Sequence, residues 1–200
     1  MQGSRSNAAR KADGRPPANE TFHLQMAASI LRSGGVVAHA TEGVWGLACD
    51  PFDVEAVARV LDLKGRSVSK GLIVIAAAPG DFADELSMLN EVDEARVRKS
   101  WPGANTWLVP NERFPYWISG GRATVAVRVP AHRQARRLCD AFGGPLVSTS
   151  ANPSRRPAAR SELTVRRYFS GSIDFVLHGS TCGSASPSVI RDAVSGVRFR

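Results

Sequence analysis

The feature that most constrains the fold is an alternation of short apolar runs with stretches whose apolar residues recur at helical spacing. The run LIVIA at residues 72–76 is rich in β-branched side chains. Its length and composition are typical of a strand buried on both faces of a sheet. Ahead of it, residues 54–64 carry an apolar stripe that Asp53 can cap as a helix. This alternation predicts an α/β domain with a central twisted sheet.

The same reasoning places further elements along the chain. Helices are predicted over residues 22–33 and 132–142, with a broken helical stretch over 81–99. Strands are predicted within residues 36–39, 101–110, 123–130, 145–152, 173–179 and 188–193. Residues 40–46 are predicted to be a loop, and 153–167 a surface loop or exposed helix. No internal repeat is evident.

Residues 1–19 are rich in Ser, Ala, Gly, Pro and Arg and contain almost nothing to bury. This composition predicts a disordered basic arm ahead of one domain over residues 20–200. The whole chain has a net charge of +8. Since the first 20 residues hold four cations and two carboxylates, the remainder is still +6. Such a charge favours an anionic partner, whether nucleotide, RNA or acidic surface.

Several classes of protein are disfavoured. No segment approaches the roughly 20 apolar residues of a membrane span, and the N-terminus lacks a secretory core, so we expect a cytoplasmic protein without membrane contact. The three cysteines (Cys49, Cys139 and Cys182) are widely separated, which predicts reduced, structural thiols. No spaced set of Asp, Glu and His predicts a metal held by the protein.

The segment LKGRSVSKGLIVI places Lys64, Arg66 and Lys70 within seven residues, just before the predicted strand. The cluster could be a solvated turn, a nucleic-acid patch or a pocket for a small polyanion. Because it lies between a helix end and a buried strand, the pocket is favoured: α/β proteins bind ligands at strand ends. The chain has neither GxxxxGK[ST] nor GxGxxG, so any nucleotide would be bound by another architecture.

Other polar groups stand at the ends of predicted strands. The loop ATEGVWG at residues 40–46 fits either a ligand site or a tight turn with a core Trp. STSAN at 148–152 fits a site for phosphate, carboxylate or ribose, or an ordinary cap. Arg128, inside an apolar run, needs a carboxylate from the protein or from a ligand, and Ser188 poses the same question. Five arginines (155, 156, 160, 166 and 167) fit a solvated face or an RNA patch.

Six motifs together resemble the YrdC/Sua5 family of threonylcarbamoyl-AMP synthases. They are HATEGVWGLACDP, LDLKGRSVSKGLIVIAA, WPGANTWLVP, VAVRVP, PLVSTSAN and PSVIRDA, in the family's order. The resemblance runs from about Phe22 to the C-terminus and is closest to the short, single-domain bacterial branch called TsaC. It implies the YrdC-like fold, a twisted mixed sheet flanked by helices, with a concave basic face.

The resemblance implies a reaction in which L-threonine, bicarbonate (or CO2) and ATP give L-threonylcarbamoyl-AMP and pyrophosphate. Mg2+ would arrive with the ATP phosphates. The product would feed N6-threonylcarbamoylation of adenosine 37 in tRNA, carried out by a partner transferase complex, and contact with tRNA or double-stranded RNA is possible.

The resemblance also implies roles for particular residues. Lys64 and Arg66 match the family's KxR and would be the catalytic cations on the ATP phosphates, with Lys70, which matches the basic residue of short-form members, beside them. Ser150 and Asn152 would lie at the nucleotide. On the threonine side the implied residues are Thr41, Arg128, Ser148 and Ser188, with Arg128 on the carboxylate. Alanine at Lys64 or Arg66 is expected to cost activity without unfolding the protein.

Four positions depart from the family pattern. Ala40 replaces the Pro of the usual PTE, Ala104 and Asn105 replace a Pro and an apolar residue, and Arg155 replaces a Gly. None removes a proposed polar contact, but together they could change loop rigidity or affinity. Two other functions remain open: a non-catalytic RNA-binding protein on the same fold, and the carbamoyl transfer of hydrogenase-maturation proteins that contain YrdC-like domains.

Overall fold

The structure, a computed structural model, describes residues 18–183 and 188–199. The predicted arm lies outside these ranges except for its last two residues, which begin the first helix. The helices are α1 (Ala18–Arg32), α2 (Val54–Lys64), α3 (Ala83–Ser87), α4 (Glu91–Lys99), α5 (Tyr116–Ser119), α6 (Arg133–Phe142) and α7 (Glu162–Phe169). Short 3-10 turns lie at Val68–Lys70 and Pro79–Phe82.

The strands form two mixed sheets. They are β1 (Val37–Ala40), β2 (Trp45–Ala48), β3 (Ile73–Ile75), β4 (Asn105–Pro110), β5 (Thr124–Arg128), β6 (Leu146–Val147), β7 (Thr149–Ser150), β8 (Phe175–Val176) and β9 (Val189–Asp192). The first sheet has the order β7-β2-β1-β8 and the second β6-β3-β5-β4-β9. The predicted α/β class is confirmed, with the strands divided between two sheets.

The predicted second helix forms as the sequence indicated. Asp53 accepts hydrogen bonds from the backbone N–H groups of Glu55 and Ala56, both at 3.0 Å. Gly65 ends the helix in the left-handed conformation (φ 56°), which a glycine adopts without steric cost. These two caps fix Lys64 as the last helical residue and place the cationic segment directly after it.

Residues 40–46 were predicted to be a loop, but only residues 41–44 lie outside strands, where they form the turn of a β-hairpin. Thr41 closes that turn on Val44, and Trp45 already belongs to β2, which the sequence analysis had not predicted as a strand. β2 pairs with β1 on one side and with β7 on the other. Residues 45–48 form a strand because of this pairing, since the presence of Gly46 gives the segment a low intrinsic β propensity.

The chain crosses from one sheet to the other at Ser148. β6 belongs to the second sheet and β7 to the first, and this serine alone separates them. Its backbone N–H donates to the carbonyl of Ile73 in β3 at 2.9 Å. The polar sequence that follows the apolar run 145–147 is therefore held at the junction of the sheets.

The core is apolar on both sides of this junction. Cys49 and Cys139 are buried, free thiols within it, and burial raises the pKa of both. This confirms the prediction of reduced, structural cysteines for that pair. Cys182 is also free but exposed.

Arg155 lies in the polar loop after β7 and has φ of 64°. Within the described ranges it is the one residue other than glycine with positive φ. The left-handed region costs a residue with a Cβ about 1–2 kcal/mol, whereas glycine adopts it freely. The usual Gly at this position therefore has a backbone reason, and Arg155 departs from it at a cost in strain.

Replacing Arg155 by Gly is expected to raise the free energy of unfolding by up to about 1 kcal/mol, because relief of the left-handed strain exceeds the added entropy of the unfolded chain. Urea unfolding measures the change. Arg156→Gly, one residue further along the exposed loop, is the matched control and should not stabilise. Equal effects of the two variants would contradict the assignment of strain to Arg155.

Candidate active site

One cavity of about 610 Å3 lies where the two sheets meet. Its floor is the open face of the second sheet, contributed by Ile73, Ile75, Leu108, Ala126 and Ile190. The turn after β1, the segment 66–71 and the loop after β7 surround this floor. The volume falls within the range of small-molecule sites, which are about 300–1,000 Å3.

Eight of the nine predicted site residues line this cavity. They are Thr41, Arg66, Lys70, Arg128, Ser148, Ser150, Asn152 and Ser188. These residues come from separate parts of the chain, and the folding of the two sheets brings them together. The exception is Lys64, which lies behind the lining.

Lys64 is 5% exposed, and its ammonium is held by the loop after β7. It donates to the backbone carbonyls of Ser150 and Asn152, and it lies 3.4 Å from Asn152 Oδ1. The premise that Lys64 is a loop cation is wrong, because it is the buried last residue of α2; that its removal leaves the protein folded stays a prediction. Burial, followed by the positive charge of Arg66, lowers the pKa of Lys64 to about 8.

The loop that Lys64 holds is bonded internally as well. Ser150 Oγ donates to Asn152 Oδ1 at 2.7 Å, and Asn152 Nδ2 donates to the carbonyl of Arg156 at 2.7 Å. Ser154 N–H donates back to the carbonyl of Lys64 at 2.7 Å. Ser150 and Asn152 are therefore fixed at the edge of the cavity before any ligand binds.

Arg66 and Lys70 lie on the cavity wall beside β3. The Arg66 guanidinium donates to the carbonyl of Gly71 at 2.9 Å, which folds the segment 66–71 back on itself. Lys70 is exposed at the end of the short 3-10 turn. Two further cations also line the cavity: Arg122, which the sequence analysis did not select, and Arg160, one of the five arginines considered there as a solvated face or an RNA patch.

Arg128 forms an ion pair with a carboxylate of the same chain. Its Nη2 lies 2.7 Å from Glu42 Oε1, and its Nε donates to the carbonyl of Gly103 at 2.8 Å. Glu42 Oε1 also accepts from the backbone N–H groups of Ala131 and His132. The sequence left open whether the carboxylate partner of Arg128 belongs to the protein or to a ligand, and the structure shows a partner from the protein, Glu42. Arg128 also lines the cavity.

Sequence reasoning missed Glu42 because 86 positions separate it from Arg128 along the chain. The only available signal was a carboxylate between Thr41 and Gly43 in a loop already selected as polar. The side chains of Glu42 and Arg128 are 12% and 11% exposed, so water screens their attraction poorly. The pair fixes the plane of the guanidinium at the cavity wall.

The remaining hydroxyls are each engaged by a neighbour. Thr41 Oγ1 donates to the carbonyl of Val44 at 2.7 Å and closes the hairpin turn. Ser188 Oγ accepts from the buried Thr106 hydroxyl at 2.9 Å. Ser148 Oγ lies 3.1 Å from Nε2 of His39, a fully buried residue of β1 that the sequence analysis did not select.

Residues 18–183 and 188–199 contain no cluster of three or more His, Cys, Asp and Glu side chains that could hold a metal ion. In the same part of the chain, every helix is too short or too polar to cross a membrane.

A model of the Sua5/YciO/YrdC family, described as telomere recombination, matches residues 29–199. The chain belongs to this family. A threonylcarbamoyl-AMP synthase of Halorhodospira halophila is 52% identical over 186 residues, which are 92% of this chain and 97% of that protein. One of Pseudomonas aeruginosa strain PAO1 is 50% identical over 181 residues, or 90% of this chain and 97% of that protein.

Among solved structures, the chain is similar to P. abyssi Sua5 complexed with L-threonine. The two are 34% identical with a TM-score of 0.79, and the match covers 84% of this chain. It covers 50% of the other, so the chain spans about half the length of that Sua5 protein. The YrdC-like fold predicted from the six motifs is thereby confirmed.

The family departures lie around the cavity of this Sua5/YciO/YrdC protein. Ala40 is the buried last residue of β1 and pairs with Trp45. The carbonyl of Ala104, which lines the cavity, accepts from Val189 N–H at 2.9 Å, and Asn105 begins β4. The departures at 104 and 105 thus lie where β4 holds β9, the strand that follows Ser188.

We expect Lys64→Met to lower the free energy of unfolding by about 1–3 kcal/mol, because it leaves the Ser150 and Asn152 carbonyls without their donor. Arg66→Met removes a bond from a half-buried side chain and should cost about 1 kcal/mol or less. Urea unfolding of the two variants gives the comparison. Equal losses, or a larger loss for Arg66→Met, would contradict the structural role of Lys64.

Proposed function

We propose that this chain is an ATP-dependent threonylcarbamoyl-AMP synthase. It would join L-threonine, bicarbonate or CO2 and ATP into L-threonylcarbamoyl-AMP with release of pyrophosphate. The observation that carries the proposal is that one cavity collects the cations, hydroxyls and loop amide that such substrates require. The half-identical synthases of Halorhodospira and Pseudomonas, matched over almost their whole length, support it.

The ends of the cavity suit different substrate groups. β3 and β5 run parallel, with Ile73 beside Ala126 and Ile75 beside Arg128. Arg66, Lys70 and Arg122 therefore lie toward the beginning of these strands, while Arg128 lies at the end of β5. Thr124 and Arg128 are four positions apart in β5, which is about 13 Å at ~3.3 Å per residue.

We assign the amino-acid end to Arg128 and the phosphate end to Arg66 and Lys70. Arg128, held by Glu42, offers a guanidinium of fixed orientation to the threonine carboxylate, and Thr41, Ser148 and Ser188 belong to the same cavity lining. Ser150 and Asn152, fixed by Lys64, would contact the nucleotide. The complex of Sua5 with L-threonine supports an amino acid as one ligand of this fold.

The chemistry needs this separation and this charge. The carbamate of threonine attacks the α-phosphorus of ATP, and pyrophosphate leaves with the bonding electrons. Nucleophile and leaving group are both anionic, so fixed cations must offset their repulsion and strengthen their contacts as charge develops. Arg66 and Lys70 would do so at the phosphates, Lys64 would hold the loop beside them, and positioning would supply much of the remaining acceleration. No covalent nucleophile is required.

We further propose that Mg2+ reaches the site bound to the ATP phosphates, where it would neutralise part of their charge. This fits the donors present, since the cavity lining offers cations, hydroxyls and amides rather than grouped carboxylates. The product would pass to a transferase complex that modifies tRNA, which implies a cytoplasmic protein. Exposed arginines near the cavity, among them Arg155, Arg156 and Arg160, are candidates for secondary contact with tRNA.

Pyrophosphate release measured with each substrate omitted in turn tests the proposal. Release is expected only when threonine, bicarbonate and Mg-ATP are all present, and chromatography should show the adenylate. Arg66→Met should lower kcat/KM at least tenfold through the lost charge at the phosphates. Lys99→Met, an exposed cation outside the cavity lining, is the matched control and should retain wild-type turnover.

Failure of the wild-type protein to form any adenylate under these conditions would contradict the function. The alternative, a non-catalytic RNA-binding protein, would instead show RNA affinity that falls steeply with salt and no threonine-dependent chemistry. Undiminished turnover of Arg66→Met would remove Arg66 from the phosphate site while leaving the reaction itself standing.

A further inference from the structure

His39 is a fully buried polar residue that the proposed reaction does not use. It lies in β1, with its imidazole between two partners. Nδ1 is 3.1 Å from the carbonyl oxygen of Ala40, and Nε2 is 3.1 Å from Oγ of Ser148. The second partner lines the cavity, so the ring connects the interior of the first sheet to the proposed threonine end.

The two contacts together determine which ring nitrogen carries the proton. A carbonyl oxygen only accepts, so Nδ1 must carry the hydrogen that it donates to Ala40. In a neutral imidazole Nε2 is then an acceptor, and Ser148 Oγ must be the donor. In the opposite tautomer, unprotonated Nδ1 and the carbonyl oxygen of Ala40 would face each other as two buried acceptors, which is costly away from water.

The surroundings keep the ring neutral. Complete burial, and secondly the nearby His132, lower the pKa of His39 to about 4, against a smaller opposing influence of the Ala40 bond and Glu42. His132 itself is committed elsewhere: its Nδ1 accepts from Ala135 N–H and its Nε2 donates to the carbonyl of Ser180. A second proton on His39 would also leave Nε2 donating and reverse the bond to Ser148.

The strand opposite makes room for this pair. Gly46 in β2 is the residue directly across from His39. A Cβ at Gly46 would lie 3.0 Å from Ser148 Oγ and 3.1 Å from His39 Nε2, closer than side chains normally approach. The absence of a side chain at this position is what allows the imidazole to reach the serine.

We propose that His39 is a positioning residue: its Nε2 accepts the hydrogen bond donated by the Ser148 hydroxyl, which leaves the lone pairs of Ser148 Oγ to accept from a ligand in the cavity. The ligand group at Ser148 is then a donor: the nitrogen-bound hydrogen or the side-chain hydroxyl of the amino acid. A carboxylate or phosphate oxygen is disfavoured there. The identity of the ligand rests on the proposed function, whereas the direction of the hydrogen bond does not.

The first test concerns the protein alone. Long-range 1H–15N spectra of the four histidines, with His39 assigned by its loss in His39→Gln, report the state of each ring nitrogen. His39 should carry its proton on Nδ1 and remain unchanged between about pH 5.5 and 8. A proton on Nε2, or a charged ring in this range, would overturn the proposal whatever reaction the protein performs.

The second test uses two matched variants. The amide oxygen of His39→Gln can reach the position of Nε2 and accept from Ser148, whereas the shorter His39→Asn can reach only the position of Nδ1. By calorimetry the Asn variant should bind L-threonine roughly three- to tenfold more weakly than the Gln variant, the value of one hydrogen bond. In the Ser148→Ala background the two should bind equally. His178→Asn, at an exposed histidine outside the cavity lining, serves as the control.

Equal threonine affinities of His39→Asn and His39→Gln, or a difference that persists in the Ser148→Ala background, would overturn the positioning role. Repeating the titrations with L-valine, which lacks the side-chain hydroxyl, identifies the ligand group that donates to Ser148. The affinity difference between His39→Asn and His39→Gln persists with L-valine if Ser148 faces the nitrogen, and it disappears if Ser148 faces the hydroxyl. If the wild-type protein binds no threonine, the proposed function fails, while the ring-nitrogen spectrum still decides the direction of the bond.

Discussion

The site depends on the buried ammonium of Lys64, which joins the end of α2 to the loop after β7. Three oxygens of Ser150 and Asn152 surround it, and Ser154 N–H returns to its carbonyl. The same loop is held on its other side by β2, where Ala151 N–H donates to the carbonyl of Trp45 at 2.7 Å. One cation therefore couples the KxR segment at residues 64–66 to the loop that holds Ser150 and Asn152, and Arg66 and Lys70 remain at the cavity wall.

A second constraint orders the opposite end of the cavity. Glu42 lies in the turn between β1 and β2, and its carboxylate binds both Arg128 and the backbone after β5. The first sheet thus fixes a guanidinium that belongs to the second sheet. His39 acts across the same junction on Ser148. Two residues of one short segment, His39 and Glu42, therefore orient Ser148 and Arg128, which are far from them along the chain.

Much of this arrangement could be predicted from the sequence because it depends on local rules. Asp53 and Gly65 bound α2, LIVIA contains a strand whose one face is open to the cavity, and the resemblance selected eight residues that line that cavity. What the sequence could not predict depends on tertiary pairing. Neither the partner of Arg128 nor that of His39 follows from spacing, and the inward direction of Lys64 depends on carbonyls that only the folded loop supplies. The same holds for β2, whose strand character comes from its neighbours.

The central claim is that one cavity holds an amino acid at the Arg128 end and the phosphates of ATP at the Arg66 end simultaneously. Calorimetric titration with L-threonine and with a non-hydrolysable ATP analogue, separately and then in the presence of the other, tests it most directly. The account predicts one site for each ligand, with each still binding when the other is saturating. Mutual exclusion of the two ligands, or binding of only one, would contradict it.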